Sequence, residues 1–451
     1  MDNKTYNDIL TTIKSIINNS KWENHCFCVG GCVRDFLMGN KIKDIDIVID
    51  LPNGGIEFAR WLQENSFTKG HIVTYENFGT AMFKLKKFPE EEIEVVHTRK
   101  ECYHDAKSRN PETSFGTIED DWQRRDFTIN AMYYNISKEE LVDFGNRGQN
   151  DLKNKIIRTC GEPEIIFDED PLRVMRLVRF ACRYGFKIDE KTFESAKKFV
   201  DRLSIISHER ITDEFTKMLM HSKESAKKSL YLLWDIDAFK YIIPKFHEFN
   251  TEEKFETINR LSNFFRYNGT LTLEHILACL FYNTKITNDE IKNNCQKVLS
   301  FSNDITNEII FLITKNKELN DICTNICVAI EEQTYKIRKI MNQCGNSKRF
   351  HAATIIGSYS VLSVFNEKDN NTDLTLFEEF DFNDYMFYTY KLPVDGFDVM
   401  QIFEIEPGKE VKEILDKTFN FVCVNPHKSS KKDCIDYIIY LKKIKEQWGT
   451  I

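Results

Sequence analysis

The sequence is poor in the residues that interrupt structure. Only 9 prolines and 18 glycines punctuate 451 positions, so long uninterrupted elements are expected and composition marks domain boundaries weakly. No apolar run approaches the ~20 residues of a membrane-spanning helix, which removes the integral helical membrane class. The opening stretch, MDNKTYNDILTTIKSIINNS, contains Asp2 and Asp8, no arginine and no long apolar block; it reads as an amphipathic helix, not as a signal or transit peptide. Paired cysteine motifs are also missing. The 13 cysteines are scattered, and the close pairs Cys26/Cys28 and Cys323/Cys327 have no second pair at zinc-ribbon spacing. Reduced thiols in a cytoplasmic protein are therefore expected, with neither a disulfide framework nor a structural zinc. A net charge of −8 argues against a chain coated in nucleic acid, but the average conceals an asymmetry. From Pro171 to Leu230, 14 Lys plus Arg stand against 8 Asp plus Glu, a local basic excess able to meet phosphate.

The length implies two to four domains. Residues 21–145 mix β-type runs (Phe27 to Val29, Ile45 to Ile49, Ala81 to Leu85, Ile93 to Val96) with helical stretches. After Gly148 the pattern turns to amphipathic helices. The expected fold is α+β: a head with a mixed sheet and flanking helices, followed by an elongated all-α remainder. The polar stretch NEKDNNTD, Asn366 to Asp373, is the best later linker.

Chemistry concentrates in the head. In DIDIVID, the strand period of two puts Asp44 and Asp46 on one face and Ile45, Ile47 and Ile49 on the other. Carboxylates held that close raise each other's proton affinity unless a cation lies between them, and oxygen-only donors favour Mg²⁺. Taken alone, the pair fits a solvated edge strand better than a metal site. Upstream, CFCVGGCVRD runs from a short apolar strand through Gly30 and Gly31 into a helix with Arg34 and Asp35. Glycines let backbone N–H groups approach a phosphate, and Arg34 can clamp its oxygens while Asp35 holds a neighbouring side chain. EIEVVHTR alternates as a strand, which makes Glu94 either a third carboxylate or a solvent-facing side chain. DDWQRRDFTINAM sets Arg124 and Arg125 beside Asp126, a costly pattern to bury but a useful one at a polyphosphate, with Asp126 orienting an arginine.

Together these segments resemble the class II tRNA nucleotidyltransferases (CCA-adding enzymes) and the bacterial poly(A) polymerases of the DNA polymerase β superfamily. GGCVRDFLMGNKIKDIDIV is similar to the family's first motif and RRDFTINAM to its second. LVDFGNRGQNDLKNKIIRT is similar to its hinge, with Gly145 and Gly148 permitting rotation. EDPLRVMRLVRFACRYGF is similar to its nucleotide-selecting motif. At 100° per residue, Arg173, Arg176, Arg179 and Arg183 share one arc of a helix opposite Val174, Leu177, Val178 and Ala181. The spacing thus predicts a basic stripe facing away from a packed face. The resemblance implies that Asp170 and Arg173 read the base edge of CTP or ATP, and that Arg176 and Arg179 belong to the same nucleotide site. More weakly, ILACLFYNTKITNDEIKNNCQKVLSFSND resembles the family's body. LPVDGFDVMQIFEIEPGKEVKEIL resembles its tail, where Gly396 to Met400 would pack or meet the tRNA elbow.

The implied domains are a catalytic head (1–145), a helical neck for nucleotide selection (146–235), a body (236–370) and a tRNA-binding tail (371–451). The implied reaction adds CCA to a tRNA 3′ end from CTP and ATP. Asp44 and Asp46 hold two Mg²⁺, Glu94 stands beside them, and Gly30, Gly31, Arg34, Arg125 and Asp126 attend the phosphates. The tRNA acceptor stem and elbow are the expected partners, with no membrane and no obligate protein partner. Poly(A) addition, or partial CC or A addition, shares the same chemistry. The long polar loop from Arg99 to Asp121 favours A addition as well as C. A non-catalytic RNA-binding descendant would have lost Asp44 or Asp46, and both are present. His104-Asp105 is the one His-Asp dipeptide, in a polar head loop, so no phosphohydrolase domain of the kind some relatives carry is expected.

Overall fold

The computed structural model describes residues 1–76, 79–102, 112–267, 272–282, 286–324, 330–356 and 385–448. The Asn366–Asp373 linker, His104-Asp105, Cys327 and the middle of the Arg99–Asp121 loop lie outside the described residues. The chain divides into two compact units, Met1–Ile242 and Ile243–Ile451. The first contains both stretches read above as head and neck.

The first unit opens with α1 (Asn3–Ile17), capped by Asp2, whose side chain accepts from the Thr5 N–H. Its buried residues Tyr6, Ile9, Leu10, Ile13 and Ile17 recur at helical spacing, forming one apolar face. There follow β1 (Cys26–Val29), α2 (Gly31–Leu37), β2 (Ile45–Ile49), α3 (Gly54–Glu64), β3 (Val73–Tyr75), β4 (Thr80–Leu85) and β5 (Phe88–His97). A separate antiparallel pair, β6 (Arg99–Cys102) and β7 (Glu112–Phe115), precedes α4 (Ile118–Gln123), β8 (Tyr133–Asn135) and β9 (Glu140–Val142). Seven strands form one mixed sheet in the order β3-β4-β5-β2-β1-β8-β9. Its one parallel pairing joins β2 to β5.

The alternation in β2 sorts its side chains between two layers. Ile45, Ile47 and Ile49 enter the main core with α1 and α3, and each fully buried aliphatic side chain contributes about 1.5–3 kcal/mol as an upper bound. On the opposite face Val48 joins a smaller cluster with Phe27, Val29, Trp122, Ala131, Tyr133 and Cys160. Asp46 projects from that second face.

Helices α5 (Arg147–Asn154), α6 (Pro163–Glu169), α7 (Leu172–Tyr184), α8 (Glu190–Phe199), α9 (His208–Leu219) and α10 (Lys223–Asp235) complete most of the unit. Gly145 (φ +65°) and Asn146 (φ +54°) make a left-handed turn before α5. Gly148 has a different role. A Cβ there would lie 2.5 Å from Met132 Cγ and 2.7 Å from the Thr128 carbonyl oxygen, so this glycine permits close packing of α5 on the RRDFTINAM segment.

The second unit is helical throughout its described residues. Thr251–Tyr267, Leu273–Phe281, Asn303–Thr324, Ile330–Cys344 and Ser347–Ile355 precede Gly396–Phe403, Lys409–Val424 and Lys431–Trp448. Buried Asn316 donates to the carbonyls of Ala353 (2.6 Å) and Thr354 (3.2 Å), tying two helices. In GFDVM, Asp395 and Asp398 form a capping box. Val399 is buried and Phe397 is 61% exposed. Among the described residues, no helix is long and apolar enough to cross a membrane.

Candidate active site

The β2–β5 pairing sets Asp46 opposite Glu94 on one rung of the sheet. Asp44 is exposed, immediately before the strand. Burial, reinforced by Glu94 and, more weakly, by Asp44, pushes the Asp46 carboxyl up to about 6 against the opposing pull of Arg125 and Arg34. Burial and Asp44 likewise raise Glu94 above the ordinary carboxylate range. Glu94 therefore stands beside the aspartate pair, with its side chain still exposed to solvent. Among the described residues, no three His, Cys, Asp or Glu side chains close into a formed metal cage. The donor set nevertheless fits a hard divalent cation: it is all oxygen, and its mutual repulsion is what such a cation would relieve.

The glycine turn borders these carboxylates. Gly30 adopts φ +77°, and a Cβ placed there would lie 3.6 Å from Asp46 Oδ2 and 3.9 Å from Arg125 Nη1. Glycine thus admits the turn's conformation and keeps the space between a carboxylate and a guanidinium open. It precedes α2 with no side-chain cap, leaving first-turn N–H groups available.

Arg34 lies beneath this turn, 4% exposed. Its Nε and Nη2 donate to Asp35 (3.0 and 2.9 Å), and Nη1 donates to Asn130 Oδ1. The guanidinium also lies 4.8 Å from the centre of the Tyr184 ring, whose hydroxyl donates to Asp35 (3.3 Å). Asp35 thus holds the neighbouring side chain, as expected, and that side chain is Arg34.

The RRD segment is wired differently from its sequence reading. Asp126 orients an arginine, but that arginine is Arg176 on α7, which donates through Nε (2.9 Å) and Nη2 (2.7 Å). Arg125 is held by Asp121, a side chain the sequence reading passed over. Arg125 Nε and Nη2 reach Asp121 Oδ2 at 2.9 and 2.8 Å. Tyr133 donates its hydroxyl to the same oxygen (2.7 Å), and Arg124 pairs with Oδ1. Burial would raise the Asp121 carboxyl, but Arg125, Arg124 and the Tyr133 hydroxyl together hold it well below the usual range. A helical signal was available in the sequence, because Asp121 precedes Arg124 and Arg125 by three and four residues.

The α7 arginines do not form a solvated stripe. Arg173 is 8% exposed; it donates to Glu169 (3.1 Å) and to the carbonyls of Ile166 (2.9 Å) and Arg124 (2.6 Å). Arg179 donates to buried Glu214 (2.5 Å), which also lies 3.7 Å from Arg176. Asp170 accepts from Arg210 on α9 (3.0 Å). Carboxylates from neighbouring segments compensate Arg173, Arg176 and Arg179, of which Arg173 is buried and the other two half-buried, an arrangement that helical periodicity in α7 alone does not reveal. Arg173 and Asp170 thus sit at the start of α7, each with a partner of opposite charge.

Comparison with known proteins bears on the fold and the family. Residues 26–158 match the family described as the poly A polymerase head domain, and residues 185–250 match the probable RNA and SrmB-binding site of polymerase A. The tRNA nucleotidyltransferase cca2 of Schizosaccharomyces pombe is 27% identical over 92% of this chain and 92% of its own length. The mitochondrial CCA tRNA nucleotidyltransferase of Saccharomyces cerevisiae is 38% identical, over 42% of this chain and 37% of its own. Poly(A) polymerase I of Escherichia coli O157:H7 is 29% identical, over 69% of this chain and 66% of its own. The Thermotoga maritima CCA-adding enzyme, solved with tRNA, shares the fold with a TM-score of 0.66 and 23% identity, covering 98% of this chain and 96% of that one. Fold and sequence together define a nucleotidyltransferase head joined to a helical remainder. The chain belongs to the class II tRNA nucleotidyltransferase/poly(A) polymerase family, and with that membership comes an expectation of divalent-metal dependence.

Proposed function

We propose that this protein adds the 3′-terminal CCA to tRNA, drawing on CTP and then ATP. The observation that carries the reading is the Asp46–Glu94 rung beside the Gly30 turn, in one compact unit with the arginines of α7. In the reaction the tRNA 3′-hydroxyl oxygen bonds to the α-phosphorus, the bond to the β-phosphate oxygen breaks, and pyrophosphate leaves. The turn's N–H groups and Arg125 hold the triphosphate, so catalysis is largely positioning and electrostatics. Arg34 and Asp126 support this surface from beneath, through Asn130 and Arg176 respectively. Asp170 and Arg173 present an acceptor and donors to the base edge in place of a template. Two Mg²⁺ ions bound at Asp44 and Asp46 would supply Lewis acidity to the attacking hydroxyl and to the leaving group.

The domains follow the order head (1–145), neck (146–235), body (236–370) and tail (371–451), the last meeting the tRNA elbow. The ten buried free cysteines among the described residues fit a reducing compartment; the cytoplasm is our assignment, and cell fractionation tests it. Poly(A) addition is the second reading, favoured by the head-domain match. The alignment to a tRNA nucleotidyltransferase over nearly the whole chain favours CCA. Purified protein with Mg²⁺ should extend tRNA transcripts ending before CCA, after C or after CC to the full terminus and stop there. Long A tails on unrelated RNA would establish the second reading, and no incorporation would overturn both.

A further inference from the structure

Asp121 is the one carboxylate near the site whose task is not explained by the reaction as described above. Its side chain is fully buried, yet it touches neither the Gly30 turn nor the Asp46–Glu94 rung. Instead it collects three donors: Arg124, Arg125 and the Tyr133 hydroxyl. One aspartate thereby faces two guanidinium groups. A buried carboxylate placed only for stability is poorly justified, because desolvating the ions offsets much of their attraction.

The direction of each guanidinium matters. Arg125 turns its Nε/Nη2 edge to Asp121, and Tyr133 accepts from the same Nε (2.9 Å). The remaining nitrogen, Nη1, faces the Gly30 turn and has no protein partner among the described residues. The point a Cβ on Gly30 would occupy lies between that nitrogen and Asp46 Oδ2. Arg125 is thus near enough to the repelled carboxylate of Asp46 to pair with it if released. Such a pairing would occupy the oxygens that must receive a cation and withdraw the donor that must meet a phosphate.

We infer that Asp121 is a positioning residue: it clamps one edge of Arg125 so that the other edge faces the triphosphate and is withheld from Asp46. Tyr133 is the second jaw of the clamp, its hydroxyl accepting from Arg125 and donating to Asp121. This role rests on the nucleotidyl-transfer reading of the site. It predicts that loss of Asp121 makes a cation and an arginine compete for the same carboxylate. Excess Mg²⁺ should then restore function in part.

The test measures CTP binding to the full chain without tRNA, so that no transfer occurs, while Mg²⁺ is titrated. Asp121→Asn should raise the Mg²⁺ concentration for half-maximal CTP binding about tenfold. Tyr133→Phe, which keeps the buried ring, should raise it about threefold in the same direction. In tRNA extension, high Mg²⁺ should recover most of the lost rate in both variants. If Asp121→Asn lowers the melting temperature but leaves the Mg²⁺ midpoint at the wild-type value, Asp121 is only structural and the inference is overturned. If Asp121→Asn does not fold, Tyr133→Phe decides: an unchanged midpoint overturns the inference and a raised one supports it. Wild-type protein that binds neither CTP nor ATP would instead overturn the functional reading, and the clamp with it.

Discussion

Asp46 and Asp121 are both poorly exposed acids of the same unit, and their surroundings are opposite. Asp46 faces Glu94 on a neighbouring strand and is pushed up to about 6. Asp121 faces Arg124, Arg125 and Tyr133 and is held well below the usual range. Like charges are therefore gathered on the β2–β5 rung, where Arg125 and Arg34 offset them only in part, and opposite charges are paired between α4 and α7. The contrast separates repelled carboxylates from a scaffold of matched ions.

The largest expected effect comes from breaking the repelled side. Asp46→Asn should lower CCA addition by about 10³-fold or more, as loss of a metal-holding group implies, with tRNA affinity largely retained in a filter-binding assay. The same change should stabilise the metal-free protein at pH 8 by about 2–3 kcal/mol in urea melts, because it removes a repelled, mostly buried charge. Unchanged activity would sink the two-metal assignment, and a loss of stability would mean that Asp46 is not repelled.

Next comes the matched side. Asp126→Asn should cost about 2–4 kcal/mol, since Arg176 loses its carboxylate, and should raise the KM for both nucleotides more than it lowers kcat at saturation. A stability loss without any change in KM would confine Asp126 to packing.

The pH dependence of metal-free stability has opposite signs on the two sides. A carboxyl raised in the folded state binds its proton more tightly there. Asp46 thus contributes most below the unfolded value of about 4, and that contribution disappears as pH rises from about 4 to about 6. Asp121 and Asp126, lowered in the folded state, contribute above about 4, and their contribution is lost on further acidification. Urea melts from pH 7 downward should therefore show Asp46→Asn abolishing a small gain near pH 5, with acid unfolding below pH 4 unaffected. The smallest effect is the control. Lys198→Ala breaks an exposed pair with Glu164 and should change stability by less than about 0.5 kcal/mol; a larger loss would show that exposed pairs in this unit are coupled.

Much of the head was legible in the sequence because two-residue alternation in DIDIVID sorts its own side chains. The order of strands was not, since the parallel β2–β5 rung joins residues almost fifty positions apart and no local pattern encodes it. The glycine turn into α2 was legible from Gly30 and Gly31. The wiring of the arginines was only half legible: the pairing of Asp126 with Arg176 depends on how α7 packs, and the burial of Arg173 depends on carbonyls from α6 and from the end of α4. Asp121 was readable in principle from helical spacing alone, but the adjacent RRD run drew attention to the wrong aspartate.

The parallel rung also has a consequence for biosynthesis. A ribosome delivers Asp46 well before Glu94, and β4, which pairs with β5, and β3, which pairs with β4, must be made in between. The nascent head therefore spends that interval with an unfinished sheet, and Asp126 emerges before Arg176 of α7, which in turn emerges before Glu214 of α9. This order favours chains whose early hydrophobic strands are shielded while synthesis continues. It also predicts that slowing translation after residue 102 and before residue 214 would lengthen the time for which half of the charge lattice stands without its counterpart.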